Sequence, residues 1–324
     1  MIKKDIVKLE ELIREKDNFL ILTHVNPEGD AVGSQISVYK MLSKMGKTAV
    51  MVSNDAVPDN LRFLPETDKI KDGIPKDFYP EATIILDCPV EDRIGKILDY
   101  PKKKCFVINI DHHVSNDYFG DIYWVEPNAS SVGEMIFSLA EALDIGIDKE
   151  LAMCVYAAII TDTGMFNYSN TSAETHKIAG RLLANGVDPK FMHSKIFEEK
   201  AVSQVRLLGN VLSTLGIIED GKIAYISLTR GMYEEEGVEF ISTEEFINYP
   251  RAIKGVEIAV FFKENSGKKV NVSFRSTGKI NVNMVASRFD GGGHKEAAGC
   301  ILECGLEEAR EKVLTEAVKA LEDE

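Results

Sequence analysis

Between the first helical segment and about Asn185, short apolar runs alternate with helical patterns, and this alternation constrains the fold most. Runs of this length are typical of buried strands, whereas the segments between them have the spacing or the start residues of helices. Parallel strands joined by helices produce this order, because helices then cover both faces of the sheet. The sequence therefore predicts an α/β domain with strands at 19–23, 48–52, 82–86 and 105–110. Predicted helices begin after Gly33, at Ser130, at Lys149 and at Ala173.

The pattern changes after Gly221, where runs rich in β-branched residues follow one another. Strands are predicted at 222–229, 256–263 and 269–274, followed by helices near Val282 and Glu307. Upstream of this change, five apolar residues have the spacing of a helix that joins two halves: Val202, Val205, Leu208, Leu212 and Leu215. A chain of 324 residues is long enough for two domains. We predict a first domain over 1–187, a linker helix over 188–218, and a smaller mixed-sheet α/β domain over 219–324.

The chain is acidic, with 38 Lys and Arg against 52 Asp and Glu and a net charge of -14. Such a field repels polyanions, so binding of long nucleic acids is not expected, but bound cations could still reverse the sign locally for short nucleotides. Apolar runs such as 152–160 are too short to cross a membrane, and the N-terminal segment contains acidic residues that a secretory signal lacks. Five cysteines, mostly in apolar segments, favour reduced thiols. We expect a soluble, cytoplasmic protein without a membrane partner.

Acidic and histidine residues recur at the ends of the apolar runs. Asp111-His112-His113 ends one run, and similar side chains stand at or near the ends of others: His24, Glu28, Asp30, Asp87 and Asp162. Any one of them could simply cap a helix or end a strand. Four elements with the same ligand types nevertheless favour one shared site, because strand ends meet at one edge of a sheet and clustered negative charges need a cation. Carboxylates and imidazoles together suit manganese, so the pattern predicts a two-metal hydrolase.

Four segments, in this order, resemble the motifs of the DHH phosphoesterase superfamily: His24-Val25-Asn26-Pro27-Glu28-Gly29-Asp30-Ala31-Val32-Gly33-Ser34, Asp87, Asp111-His112-His113 and Thr161-Asp162-Thr163-Gly164. Three later segments resemble the DHH-associated substrate domain: Phe274-Arg275-Ser276, Gly291-Gly292-Gly293-His294 and Ala297-Ala298-Gly299. The likeness covers nearly the whole chain. It predicts an N-terminal parallel-sheet DHH domain, the linker helix and a C-terminal DHH-associated domain.

The resemblance implies two metal ions that share Asp87. It implies that one ion is held by His24, Glu28 and Asp87, and the other by Asp30, Asp87, His112 and Asp162. Manganese is the implied cofactor, with cobalt or magnesium as alternatives. His113 is implied to act in catalysis at the phosphate, and Asp111 to orient a histidine. The implied substrate contacts are those of Arg275, Gly291, Gly292, Gly293 and His294.

Two positions depart from the superfamily pattern. Glu28 stands where many relatives have Asp, so its carboxylate lies one methylene further from the backbone, although the charge is kept. The segment Phe166-Asn167-Tyr168 follows the fourth motif where many relatives have a basic residue. One phosphate contact is therefore expected to be missing or to come from Arg275.

Within the superfamily, the length and the C-terminal motifs resemble the oligoribonuclease and 3′-phosphoadenosine 5′-phosphate phosphatase group. The predicted function is hydrolysis of short oligoribonucleotides to mononucleotides, of the bisphosphate nucleotide to AMP and phosphate, or of both, with a homodimer as the implied assembly. Hydrolysis of linear or cyclic dinucleotides is the closest alternative, and pyrophosphate hydrolysis ranks third. A catalytically inactive nucleotide-binding module is the alternative from another class, and the complete set of ligand residues argues against it.

Overall fold

The computed structural model describes residues 2–99, 105–237, 243–265 and 268–322. The chain divides into two compact units, Met1–Glu199 and Lys200–Glu324. Each unit has hydrophobic core clusters of its own. The division falls inside the segment 188–218 that the sequence predicts as the linker.

Parallel strands form the five-stranded sheet of the first unit: β1 (Asn18–Thr23), β2 (Thr48–Val52), β3 (Ala82–Leu86), β4 (Phe106–Asp111) and β5 (Ile122–Val125). Their spatial order is β2-β1-β3-β4-β5, so the chain changes direction across the sheet between β1 and β3. The first four strands confirm the predicted ones to within one residue at each end. Strand β5 was not predicted because it is short and contains only one buried side chain, Trp124.

The carboxyl ends of β1, β3 and β4 are aligned. Thr23 pairs with Leu86, and Leu86 pairs with Ile110. The next residue of each segment therefore lies at the same edge of the sheet: His24, Asp87 and Asp111. In a parallel sheet this edge, beside the change of direction, is where ligands bind.

Helical segments cover both faces of this sheet. The α-helices are α1 (Ile2–Glu15), α2 (Gly29–Lys44), α3 (Val132–Ala142), α4 (Lys149–Asp162) and α5 (Ala173–Ala184). Side chains of these helices pack with alternate strand residues, such as Phe19 and Ile84, in one large core cluster. The other face, which includes Leu20 and Ile85, packs against the 3₁₀ helix Glu91–Asp99 through Ile94. Among the described residues, no helix has the length and apolar character needed to cross a membrane.

Local hydrogen bonds explain where three of these helices begin. The N-cap side chains that accept a backbone hydrogen bond are Ser131 of α3, Asp148 of α4 and Ser172 of α5. Helix α2 lacks such a signal, because its N-cap residue Glu28 makes no capping hydrogen bond. The predicted start after Gly33 is wrong for this reason: α2 begins at Gly29, and Asp30 lies in its first turn.

Glycines allow α2 and α3 to pack very closely on α4. A Cβ atom added at Gly33 would lie 2.4 Å from the backbone oxygen of Cys154, and one added at Gly133 would lie 2.4 Å from the Cβ of Ala158. Both distances are far below van der Waals contact. The close packing brings the first turns of α2 and α3 towards α4, whose last residue is Asp162.

The predicted linker contains three helical segments: α6 (Pro189–His193), the π-helical turn Ser194–Glu198 and α7 (Val202–Leu212). Asp188 caps α6, and Pro189 occupies its first turn. Helix α7 belongs to the second unit, because Leu207 and Val211 are buried in a core cluster with residues of that unit's sheet.

The second unit contains a mixed sheet of six strands: β6 (Gly216–Ile218), β7 (Ile223–Leu228), β8 (Ile258–Asn265), β9 (Lys269–Ser276), β10 (Gly292–Gly293) and β11 (Ala297–Leu302). Its order is β10-β11-β9-β8-β7-β6, with β7 and β8 parallel and the other pairs antiparallel. The helices are α8 (Arg230–Glu236), α9 (Asn248–Arg251), α10 (Val282–Ser287) and α11 (Leu306–Glu322). A parallel-sheet α/β unit followed by a mixed-sheet unit confirms the predicted fold class.

Candidate metal centre

The structure brings together the eight residues that the sequence predicts for the site in the first unit: His24, Glu28, Asp30, Asp87, Asp111, His112, His113 and Asp162. Strands β1, β3 and β4 supply residues at their carboxyl ends, α2 supplies Asp30 from its first turn, and α4 ends at Asp162. The ligand types therefore converge from five elements on one edge of the sheet.

The first group of candidate ligands surrounds His24. Its Nε2 atom lies 3.3 Å from Glu28 Oε1 and 3.3 Å from Asp87 Oδ2. The other ring nitrogen, Nδ1, lies 2.7 Å from the carbonyl oxygen of Val25. A hydrogen bond from Nδ1–H to this carbonyl leaves Nε2 facing the carboxylates, where it could bind a metal ion in place of its proton, as metal-binding histidines usually do.

The second group surrounds His112. Its Nε2 atom lies 3.5 Å from Asp162 Oδ2, 3.7 Å from Asp87 Oδ1 and 3.9 Å from Asp30 Oδ2. Its Nδ1 atom lies 3.2 Å from the carbonyl oxygen of Ala129. Asp87 therefore contributes one carboxylate oxygen to each group.

Three hydrogen bonds hold Asp30 in place. Its Oδ2 atom accepts a hydrogen bond from the amide of Val132 at 2.7 Å, and its Oδ1 atom accepts from the amide of Gly133 at 2.9 Å and from Ser34 Oγ at 3.0 Å. The two amides belong to the first turn of α3, where backbone donors have no partner inside the helix. The carboxylate thus compensates a helix N-terminus and is fixed beside the second group.

His113 differs from His112 in its partners. Its Nδ1 atom lies 2.8 Å from Asp111 Oδ1, and Asp111 is fully buried. Asp87, His112 and His113 also satisfy the distances of a ligand group, so distance alone does not separate the two histidines. What separates them is that His112 is oriented by a backbone carbonyl, whereas His113 is oriented by a carboxylate.

The buried carboxylates strongly perturb one another. Burial, together with the charge of Asp30, raises the pKa of Asp87 well above its usual value. Burial and neighbouring negative charges also raise the pKa of Asp162 to about 7. Burial alone would lower the pKa of His112, but Asp162, Asp30 and Asp87 raise it to about 9. The site therefore contains more carboxylates than the neighbouring residues of the protein can neutralise.

A divalent cation fits this arrangement. Asp87 Oδ1 is buried and accepts no hydrogen bond from the described residues. Leaving a buried carboxylate oxygen without a partner is costly, and a metal ion is one of the few partners that removes the cost. Carboxylate oxygens and imidazole nitrogens are donors that suit a divalent metal ion.

The second unit groups the other predicted site residues around β9, β10 and β11. Arg275 lies on β9 opposite Ala297 of β11. The amide of Gly291 donates to the carbonyl of Ala286, and that of His294 donates to Ala297 at 2.7 Å. These two amides are therefore engaged within the unit, whereas Gly292 is exposed. Gly291 and Gly293 are required by packing, because a Cβ at either would approach a backbone oxygen to 2.4 Å or less.

Sequence reasoning missed several polar residues that hold the candidate ligands. Asn116 donates to Asp111, and Asn170 contacts the backbone oxygen of Asp162 at 3.1 Å. Arg93 Nη2 also lies 3.4 Å from His24 Nδ1, but Nδ1 donates to Val25, so Arg93 is a neighbouring positive charge and not a hydrogen-bond donor to this ring. One signal was present: Asn109 is a polar residue within the predicted apolar run 105–110, and it is fully buried.

Comparison with protein families gives two matches that together span most of the chain. Residues 18–159 match the DHH family, N-terminal domain. Residues 220–324 match the DHHA1 domain. The first match contains all predicted site residues of the first unit except Asp162, and the second contains Arg275 and Gly291 to His294.

Curated relatives and a solved structure agree with these matches. The chain is 35% identical to the bifunctional oligoribonuclease and PAP phosphatase of Thermus thermophilus over 301 residues, which cover 92% of this chain and 88% of that protein. It is 26% identical to the cyclic-di-AMP phosphodiesterase of Geobacillus thermodenitrificans, covering 96% of this chain and 48% of that protein. The crystal structure of an exopolyphosphatase-related protein from Bacteroides fragilis has a TM-score of 0.87 and 30% identity, covering 99% of this chain and 96% of that one.

Proposed function

Because the chain belongs to the DHH phosphoesterase family, we propose that it hydrolyses phosphate esters of short nucleotides at a site for two divalent metal ions. The observation that carries the proposal is the shared carboxylate of Asp87. Its Oδ2 atom lies 3.3 Å from His24 Nε2, and its Oδ1 atom lies 3.7 Å from His112 Nε2. A carboxylate in this position can bridge two ions.

Two sets of residues would hold these ions. One set is His24, Glu28 and Asp87, and the other is Asp30, Asp87, His112 and Asp162. We propose manganese, with cobalt or magnesium as alternatives, because the donor set mixes oxygen and imidazole nitrogen. When bound, such ions lower the pKa of water and neutralise charge on a phosphoryl group.

The reaction releases a proton. His113 and Asp111 would transfer this proton to the leaving group. Asp111 Oδ1 lies 2.8 Å from His113 Nδ1 and holds the ring in one orientation. In the doubly protonated ring, Nδ1–H donates to Asp111 and Nε2–H can protonate the leaving oxygen. The buried Asp111 carboxylate stabilises the positive charge of that ring, as in other histidine–carboxylate pairs.

We propose that residues 219–324 bind the substrate, with Arg275 and His294 as charge-assisted donors to its phosphate and exposed Gly292 as a point of close approach. Short oligoribonucleotides and 3′-phosphoadenosine 5′-phosphate (PAP) are the proposed substrates, following the Thermus thermophilus relative. The net charge of -14 supports short substrates, because a long strand gains affinity from an extended basic surface. The homodimer that the resemblance implies stays a prediction, which sedimentation velocity would check.

A substrate panel tests this function. It compares PAP, RNAs of two to five nucleotides, the DNA equivalents, a linear diadenylate and pyrophosphate, each with manganese, cobalt or magnesium. We expect metal-dependent release of mononucleotides from the RNAs or phosphate from PAP. Asp87→Asn is the matched control, because it keeps the side-chain volume and removes the shared charge. Preferential cleavage of diadenylate would favour the dinucleotide alternative, and no metal-dependent release from any substrate would refute the proposal.

A further inference from the structure

Asn116 lies in the segment after β4, three residues beyond His113, and it is almost completely buried. Its Nδ2 group donates to Asp111 Oδ2 at 2.6 Å and to Asn109 Oδ1 at 2.9 Å. Its Oδ1 atom accepts from the backbone amide of Tyr118 at 2.6 Å. The nitrogen of the Asn116 amide therefore faces hydrogen-bond acceptors, and its oxygen faces a hydrogen-bond donor.

These neighbours determine which side chain can occupy the position. The amide of Tyr118 needs an acceptor, whereas the oxygens of Asp111 and Asn109 need donors, so the orientation of the Asn116 amide follows from its partners. An aspartate here would place a second carboxylate against Asp111. A leucine would leave the buried oxygens of Asp111 and Asn109 without this donor, which is costly.

The hydrogen bond from Asn116 completes the environment of the Asp111 carboxylate. One oxygen, Oδ1, faces His113 Nδ1 at 2.8 Å, and the other, Oδ2, faces Asn116 Nδ2. Asp111 is fully buried, so water does not compete for these oxygens. Fixing Oδ2 sets the rotation of the carboxylate and thereby the direction in which Oδ1 meets the imidazole.

The same amide group lies close to the segment that carries Asp87. Asn109 Nδ2 donates to the carbonyl of Cys88 at 3.1 Å, and Asn116 Nδ2 lies 3.5 Å from that oxygen. Asp87 itself has a φ of 55°, which is unfavourable for a residue with a side chain. Asn109 thus ties the end of β4 to the residue after Asp87, at the point where this conformation must be maintained, whereas the contact of Asn116 with the same oxygen is at the limit of a hydrogen bond.

We propose that Asn116 is a positioning residue of the hydrolytic reaction: it orients His113 by holding Asp111. This inference rests on the proposed function, in which His113 serves the leaving oxygen. Asn116 acts through Asp111, so its loss should slow turnover and leave the groups that bind the metal and the substrate in place.

The test is a double-mutant cycle with Asn116→Asp and His113→Ala, using PAP or the RNA that the panel identifies and saturating manganese. Asn116→Asp keeps the shape and the acceptor for Tyr118, and it replaces the donor to Asp111 by a second carboxylate that repels it. We expect kcat to fall by about 10- to 100-fold, with KM and manganese content unchanged. In the His113→Ala background, Asn116→Asp should change kcat by less than about twofold, because the residue through which it acts is already gone.

Two comparisons separate positioning from a general structural effect. Asn185→Asp adds the same charge at the exposed end of α5 and should leave kcat unchanged. If Asn116→Asp does not fold, Asn116→Ser, which keeps one hydroxyl donor, replaces it in the same cycle with a smaller expected loss. Additive losses in the cycle, or equal losses of kcat and manganese content, would overturn the proposal.

A measurement on metal-free protein does not depend on activity. A ¹⁵N–¹H spectrum of the histidine rings, assigned with His113→Ala, should show the Nδ1 proton of His113 shifted or lost in Asn116→Asp. An unchanged ring signal would overturn the positioning role even if the panel shows no hydrolysis. If the ring signal changes in Asn116→Asp but the wild-type chain hydrolyses no substrate of the panel, only the proposed function is refuted.

Discussion

Replacing Gly33 by alanine is expected to destabilise the first unit, because α2 and α4 are in contact at this residue. An added Cβ would lie 2.4 Å from the backbone oxygen of Cys154 and 3.1 Å from the backbone nitrogen of Ala158. The first distance is about 1 Å short of ordinary contact. Backbone atoms of a packed helix cannot rotate away as a side chain can, so the two helices must separate.

The expected magnitude combines two opposing effects. Overpacking of this kind costs up to about 3 kcal/mol. Replacing a helical glycine by alanine contributes about 1 kcal/mol in the opposite direction. The net loss in the free energy of unfolding is therefore about 2 kcal/mol. Because metal–ligand distances tolerate changes of only about 0.2 Å, separation of α2 from α4 should also weaken manganese binding at Asp30 and Asp162.

Urea denaturation followed by tryptophan fluorescence measures this loss, since Trp124 is the single tryptophan and lies in β5 of the first unit. Gly180→Ala is the matched control: Gly180 is exposed on α5, and its added Cβ meets nothing within 4 Å. The control should be stabilised by about 1 kcal/mol. If Gly33→Ala were as stable as Gly180→Ala and bound manganese normally, the packing argument would be refuted.

Three further predictions concern the candidate metal centre. His113→Ala should retain most of the manganese but lose turnover, whereas Asp87→Ala should lose both, as measured by metal analysis and kcat; equal metal loss would contradict the different roles. Manganese at about 1,000 times its dissociation constant should raise the free energy of unfolding by about 4 kcal/mol, visible in Trp124 fluorescence, and no increase would argue against a metal site. In chelated protein, the pKa of His112 is about 9 when folded and near 6.5 when unfolded, so folding retains its proton. Stability should therefore fall as pH rises from about 6.5 to 9, and His24, whose pKa its carboxylate neighbours raise to about 11, adds to the same slope. A slope in His112→Gln as steep as in the wild-type chain would contradict the role of His112.

Some elements could be predicted from sequence because their burial leaves a simple pattern. Strand β3 is buried along its whole length, and its limits agree with the prediction. Strand β11 has a mixed pattern, with Gly299 inside it and Ile301 exposed, and β10 consists of two glycines. Strands of this kind depend on partners elsewhere in the chain, so their own residues carry little signal.

The candidate ligands of the metal centre could be predicted from sequence, whereas the residues that support them could not. Histidine and aspartate at strand ends stand out because such groups are rarely placed next to apolar runs without a partner. The supporting residues Asn116 and Asn170 did not stand out, because an asparagine in a loop is ordinary until its neighbours are known. Their hydrogen bonds to Asp111 and Asp162 are visible only in the folded chain.

The sequence by itself determined the order of strands and helices, the chemical types at the strand ends, and the likeness to the DHH family. These properties depend on local burial and on residue identity. Only the tertiary structure decided that Asp30 is held by the first turn of α3, about 100 residues away in the chain, and that Asp87 lies between the two histidines. Such contacts depend on how closely α2, α3 and α4 pack and on the register of the sheet, and both result from the whole fold.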